Sequence, residues 1–271
     1  PEWGNAELKK DFSERHPIIQ WYQYLCEFQR HNITKEGEIY SAICTGPVGA
    51  YLSLAYDLYI LRHHSLLQSK LIDRLKDKNQ FQGARYEIYV AAVFVKAGFD
   101  IEFEDEADKS RSHCEFIATH KSTSRRYSIE AKSRHRPGLL GRSGEARNHE
   151  EIKLRIGGLL RDALKKKADY TRIIFMDVNM PPGEGDPRGN AWFESLNSEI
   201  TRIESETMTG IQYPAAYLVF TNHPYHYVGK DEVEPRKNHL LTAVNLPHFK
   251  IYDPERAQAI DPPIFMLFDS V

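Results

Sequence analysis

Apolar residues recur at helical spacing through the first part of the chain. Over residues 6–32, Leu8, Phe12, Ile18, Ile19, Tyr22, Leu25 and Phe28 fall near a 3.6-residue period, with Pro17 as a break or kink. Gly46-Pro47-Val48-Gly49 punctuates the pattern. Residues 50–61 are apolar and aromatic, and residues 66–75 resume the helical spacing. Residues 1–78 therefore read as an α-helical N-terminal region, either a small domain of its own or a layer packed on the remainder of the chain.

Residues 79–271 read as a second unit with α/β alternation. Residues 82–97 predict a helix with Tyr86, Val90, Val93 and Phe94 on one side, stopped by Gly98. Residues 99–104 alternate as a strand, whereas 172–178 and 215–221 are continuous apolar runs of buried-strand type. Residues 150–168 predict one long amphipathic helix, and 191–206 another. The segments 134–148 and 179–190, punctuated by glycine and proline, predict loops. After Asn222 the pattern weakens to short strands and proline-rich turns.

Between the first strand and the first loop lies a hairpin pattern. Glu115-Phe116-Ile117-Ala118-Thr119 and Tyr127-Ser128-Ile129-Glu130-Ala131-Lys132 flank a turn-prone polar stretch. With Ser122 and Thr123 at the turn, facing residues have numbers summing to 245. That register sets Glu115 across from Glu130, with Lys132 on the same face two residues on. Two carboxylates opposed across a ladder repel unless a positive charge lies between them. A divalent cation is the economical answer, and a neighbouring lysine points to hydrolysis.

Charge sharpens this picture. The net charge is −2, yet residues 109–172 hold 17 Lys or Arg against 7 Asp or Glu, about +10 in one segment. A polyanion, nucleic acid above all, would be drawn there. Three scattered cysteines, Cys26, Cys44 and Cys114, argue for a reducing compartment and against a disulfide framework or cysteine-built zinc site. No apolar run is long enough to span a membrane, and the first residues lack a basic-then-apolar leader, so a cytoplasmic location is expected.

The order helix, strand, hairpin with Glu…Glu-x-Lys, helix, strand resembles the PD-(D/E)xK nuclease superfamily, the restriction-endonuclease-like fold, over about residues 79–225. The residues that carry it are Glu87 in the helix opened by Gly83-Ala84-Arg85-Tyr86, Glu115, and Glu130-Ala131-Lys132. The resemblance implies a mixed central sheet flanked by helices and a Mg²⁺- or Mn²⁺-dependent endonuclease of restriction, repair or defence type. It implies Glu115 and Glu130 as metal ligands, the Ala131 carbonyl and Glu87 as further ligands, and Lys132 at the attacking water. Two carboxylates and a carbonyl suffice for Mg²⁺, which keeps several of its waters. Arg134, Arg136, Arg142 and Lys153 are candidates for contact with nucleic acid. DNA is the partner expected first. Many nucleases of this shape dimerise to cut both strands, so a second copy or another protein is a further partner to look for, and no membrane is.

This chain has Cys114-Glu115 where the family usually places aspartate, often after proline. The alternative function is therefore a catalytically inactive nuclease-like module that binds nucleic acid or a protein. A glutamate and lysine two apart on a strand are, by themselves, more often a surface ion pair. His113, Cys114 and His120 cluster in sequence, but Cys114 points away from His113 in a strand, which argues against zinc. His223 and His226 suit structural or surface roles.

Overall fold

Six strands lie side by side in chain order: β1 (Phe99–Phe103), β2 (Phe116–His120), β3 (Arg126–Ser133), β4 (Thr171–Asp177), β5 (Ala216–Asn222) and β6 (Asn238–Val244). β1, β2 and β3 pair antiparallel, β3, β4 and β5 parallel, and β6 returns antiparallel to β5. The computed structural model describes residues 2–64, 66–104, 114–183, 191–206, 210, 212–246 and 261–271. Parallel neighbours need a crossover, usually helical. Here α6 (Gly157–Lys165) joins β3 to β4, and α7 (Ala191–Glu206) joins β4 to β5.

The hairpin has the register expected from the sequence. Phe116 pairs with Ile129, Ile117 with Ser128, Ala118 with Tyr127 and Thr119 with Arg126. Ser124, at φ 56°, lets the short turn close. Phe116, Ala118, Ile129, Ala131, Ile173, Phe175 and Val219 face α5 (Phe81–Lys96), while Ile174, Met176, Leu218 and Phe220 pack with Leu160 and Leu164 of α6 and Leu196 and Ile200 of α7. The result is an α/β fold with a six-stranded mixed sheet flanked by helices. Glu130 and Lys132 stand beside Ile174 and Met176, so they belong to the α6 face.

The helices of the N-terminal part, α1 (Glu2–Leu8), α2 (Pro17–Asn32), α3 (Gly46–His63) and α4 (Ser69–Lys76), cover α5. One apolar cluster runs from Trp21, Leu54 and Leu71 through Val90 and Phe94 to Phe116 and Phe175 of the sheet. Phe94 meets Phe99, Phe116 and Phe175 edge-on at centroid distances of 5.2, 5.5 and 5.6 Å. Such pairs contribute about 0.5–1.5 kcal/mol each beyond the area they bury. Among the described residues no helix is long and apolar enough to cross a membrane.

Two local expectations change. Gly46 and Pro47 open α3 instead of interrupting the chain. Proline suits the first helical turn, and a Cβ on Gly46 would stand 2.7 Å from the Tyr225 carbonyl oxygen, so glycine is what lets the two segments meet. The helix expected over residues 150–168 begins only at Gly157. A 3₁₀ turn at His149–Glu151 precedes it, and residues 152–156 form no helix, with Ile152 extended and Arg155 left-handed at φ 43°; Ile152, Leu154 and Ile156 are buried and Lys153 and Arg155 exposed. That alternation has a period of two, and it overrides the helical reading. Lys153 therefore lies ahead of the helix and not on it.

Candidate active site

Glu130 is central to β3 and fully buried, at 0% exposure. Its Oε1 lies 2.5 Å from Lys132 Nζ and 3.5 Å from Lys166 Nζ, at the end of α6. Among the described residues, neither carboxylate oxygen has a well-aligned hydrogen bond. Burial pushes the Glu130 pKa up; Lys132 opposes that push without cancelling it. The Lys132 ammonium feels the reverse balance. Burial lowers its pKa, but Glu130 and Glu115 outweigh burial and hold it above the ordinary lysine value. The difference follows from position, since the lysine side chain keeps 23% of its surface in solvent.

Glu115 sits one residue before β2, and its backbone N–H donates to the Ile129 carbonyl at 2.8 Å. Its Oε1 is 3.8 Å from Lys132 Nζ. The two acids expected to face each other thus converge, with the lysine ammonium within ion-pair reach of both. Glu87, on α5, pairs with Arg74 of α4. Glu87, Glu115, Ala131, Lys132 and Arg134 all line one open cleft of about 350 Å³.

The donors of this cleft suit a divalent ion. The carboxylates of Glu87 and Glu115, which line the cleft, and of Glu130 beside Lys132 are hard oxygen donors of the kind Mg²⁺ takes. Glu130 Oε1 already faces two ammonium groups, whereas Oε2 is a buried acceptor without a donor among the described residues, a position that a further cation or donor would satisfy. Among the described residues, however, no three His, Cys, Asp or Glu side chains already converge as a ligand set. Glu115 and Glu130 are the two acids here that could hold a metal, with water completing its shell.

Beside the cleft lies a basic pocket of about 130 Å³ lined by His135 and by the cations Arg134, Arg136, Arg147, Lys153 and Arg155. Arg134, Arg136 and Lys153, expected at a nucleic-acid contact, come together there. Their roles differ. Arg136 is committed to the backbone, donating to the carbonyls of Asn179 at 2.8 Å, Lys153 at 3.0 Å and Val178 at 3.2 Å. Arg142 lies outside this pocket, where it donates to the Asn79 carbonyl at 2.9 Å and braces His135. Burial, then Arg142 and Arg134, lower the His135 pKa, so the ring is neutral at pH 7. Lys153 is exposed, and Arg134, half-buried, lines both the cleft and this pocket.

Several supporting residues carry little signal in the sequence. Gln82 donates to the carbonyls of Arg136 and Leu139 at 2.9 and 2.8 Å and accepts from Arg136 N–H at 2.8 Å. Asn179, at φ 49°, donates to the Arg134 carbonyl at 2.7 Å and is joined by His226 at 2.8 Å. These contacts fasten the arginine loop to α5 and β4. A polar Gln82 on the apolar face of a helix was the available signal. Asp177, buried at the end of β4, accepts from Ser133 at 3.1 Å and lies 3.6 Å from Arg85. Lys166 gave no signal among three successive lysines.

The remaining sequence candidates among the described residues lie away from this cleft. Burial pushes the Cys114 thiol up to about 12, and it donates to the Lys167 carbonyl, so it stays protonated. His113 lies outside the described residues. His223 and His226 are both held neutral by burial.

No protein-family model, curated protein or solved structure matches the chain. Function is therefore read from the geometry of the site.

Proposed function

We propose that the chain is a divalent-metal-dependent nuclease, with a restriction-endonuclease-like core, that hydrolyses phosphodiester bonds of DNA. The observation that carries this reading is the convergence of Glu115 and Glu130 on Lys132, with Glu115 and Lys132 lining an open cleft and Glu130 buried against the lysine. Glu115, Glu130 and the Ala131 carbonyl would hold Mg²⁺ or Mn²⁺, with Glu87 completing the set. When bound, the metal lowers the pKa of a coordinated water and offsets charge on the phosphate. Lys132, kept protonated by its two acids, donates hydrogen bonds to a phosphate oxygen and orients the group under attack. Arg134 and Lys153 attract and seat the flanking backbone phosphates. The loop they sit on is fixed by Gln82 and Asn179, which limits the reorganisation needed on binding.

The test is cleavage of supercoiled plasmid in Mg²⁺ or Mn²⁺ by the native chain, Glu130→Ala and Lys132→Ala. Nicking or linearisation by the native chain alone supports the reading, and equal behaviour of all three removes it. One observation favours a second reading, a nuclease-shaped module that binds without cutting. Lys132 and Lys166 already surround Glu130 with positive charge, and Arg74 engages Glu87. Calorimetry separates the two, since the binding module takes up no Mn²⁺ at millimolar concentration yet still binds DNA.

A further inference from the structure

A second polar cavity lies on the other side of α5. Arg85 and Tyr89 are one helical turn apart and Lys96 is two turns further on, so the three share a face, whereas Glu87 projects the opposite way. Together with Asp57 of α3, His223 after β5 and Lys237 before β6, they line a cavity of about 70 Å³. Three of these side chains are more than nine-tenths buried and carry polar atoms without a hydrogen-bond partner among the described residues: Arg85 Nε and Nη2 at 8% exposure, Tyr89 Oη at 7%, and His223 Nε2 at 4%. The ion pairs nearby are long. Arg85 Nη2 is 3.6 Å from Asp177, and Lys96 Nζ is 3.7 Å from Asp57.

Guanidinium, ammonium and phenol groups offer donors, and a neutral imidazole offers one more. Three cations line the space against one carboxylate. Buried donors without acceptors are costly and rare, so a cavity rich in them suits a ligand that only accepts. The space exceeds what one water occupies and matches a tetrahedral oxyanion. Tyr56, at 57% exposure, and Lys237 mark the side that opens to solvent. We propose that this cavity binds a small oxyanion of phosphate type, held by Arg85, Tyr89, Lys96, His223 and Lys237. The proposal does not depend on the nuclease reading, because none of these residues lines the Glu130 cleft.

Isothermal titration calorimetry with inorganic phosphate, against sodium chloride at equal ionic strength and without divalent metal, tests it. The native chain is expected to show one saturable phosphate site. Tyr89→Phe removes a hydroxyl that has no hydrogen-bond partner among the described residues, so it folds as the native chain does and binds phosphate at least about fivefold more weakly. Lys237→Gln, a change at an exposed position, weakens binding about tenfold. Lys153→Gln and Arg155→Gln, in the basic pocket, leave it unchanged. A nucleoside 5′-monophosphate in place of phosphate identifies the source: binding as tight or tighter means a phosphoryl terminus is accepted, and binding only of the free ion means the cavity closes over it. Absence of a saturable site, native affinity in both Tyr89→Phe and Lys237→Gln, or loss in the basic-pocket variants instead, overturns the proposal.

Discussion

Replacing Glu130 with glutamine separates the structural role of this carboxylate from its proposed chemical one. At an effective dielectric of about 20, attraction to an ammonium is worth about 6–7 kcal/mol at the Lys132 distance and about 5 kcal/mol at the Lys166 distance, before desolvation. The carboxylate pKa is nevertheless raised, so withdrawal from water together with the nearby Glu115 carboxylate outweighs both lysines. Ionised Glu130 is a net cost to the fold. Breaking a buried pair usually destabilises by about 3–5 kcal/mol because the remaining charge is stranded. Here the remaining charges are not stranded, since the Lys132 and Lys166 side chains keep 23% and 24% exposure and reach solvent. Glu130→Gln should therefore melt at the native temperature or slightly above it. Its behaviour with Mn²⁺ should differ. A ligand at a hundredfold excess over Kd stabilises by about 2.7 kcal/mol, and at about 2 °C per kcal/mol for a chain of this size the native protein should gain about 5 °C. Glu130→Gln should gain nothing and cut no plasmid. Because the proton and the metal compete for one carboxylate, the native shift should also shrink as pH falls into the raised range of Glu130. An identical Mn²⁺ shift in native and variant proteins, or a variant that melts several degrees lower without metal, would refute this reasoning.

The arginine loop, the basic pocket and a buried histidine each give a further prediction. Arg136→Ala strands three carbonyl acceptors and should cost about 2–4 kcal/mol in urea unfolding; loss of DNA affinity at unchanged stability would contradict the structural role assigned to it. Lys153→Gln with Arg155→Gln should reduce the slope of log K for DNA against log salt by about 2, and an unchanged slope would remove this pocket from the interface. Burial lowers the His16 pKa from 6.5 to about 4. The unfolded chain then binds the proton that the folded chain refuses, so about 3 kcal/mol of stability present above pH 6.5 is lost as pH falls towards 4. Denaturant titrations at pH 7.5 and 5 should differ accordingly, and His16→Gln should flatten the difference.

The hairpin register was readable because strand parity leaves few alternatives: a slip of one residue would turn Phe116 or Ile129 from the aromatic core to the α6 face and bring a charged neighbour, Glu115 or Glu130, into that core. The helix at 191–206 and the strands at 172–178 and 215–221 were readable from period and burial alone. Residues 150–156 were misread because Ile152, Leu154 and Ile156 satisfy a two-residue period inside a segment whose later half is helical. The three converging side chains were foreseen, but their charge balance was not. Which lysine of Lys165, Lys166 and Lys167 returns to Glu130 depends on where α6 ends, and that end is set by tertiary packing. Gln82 and Asn179 act through backbone groups of a loop far away in sequence, and no local pattern encodes such partners.

Lys132 rests where a metal ion would be drawn, within reach of both acids, so the resting protein carries its own counter-ion. Under the nuclease reading, an arriving Mg²⁺ would compete with that ammonium for both acids. A phosphodiester in the cleft gives the displaced ammonium a new anion to hold. By thermodynamic reciprocity, nucleic acid then tightens metal binding as much as metal tightens nucleic-acid binding. Under the nuclease reading, the hydrolytic centre assembles only when both have arrived.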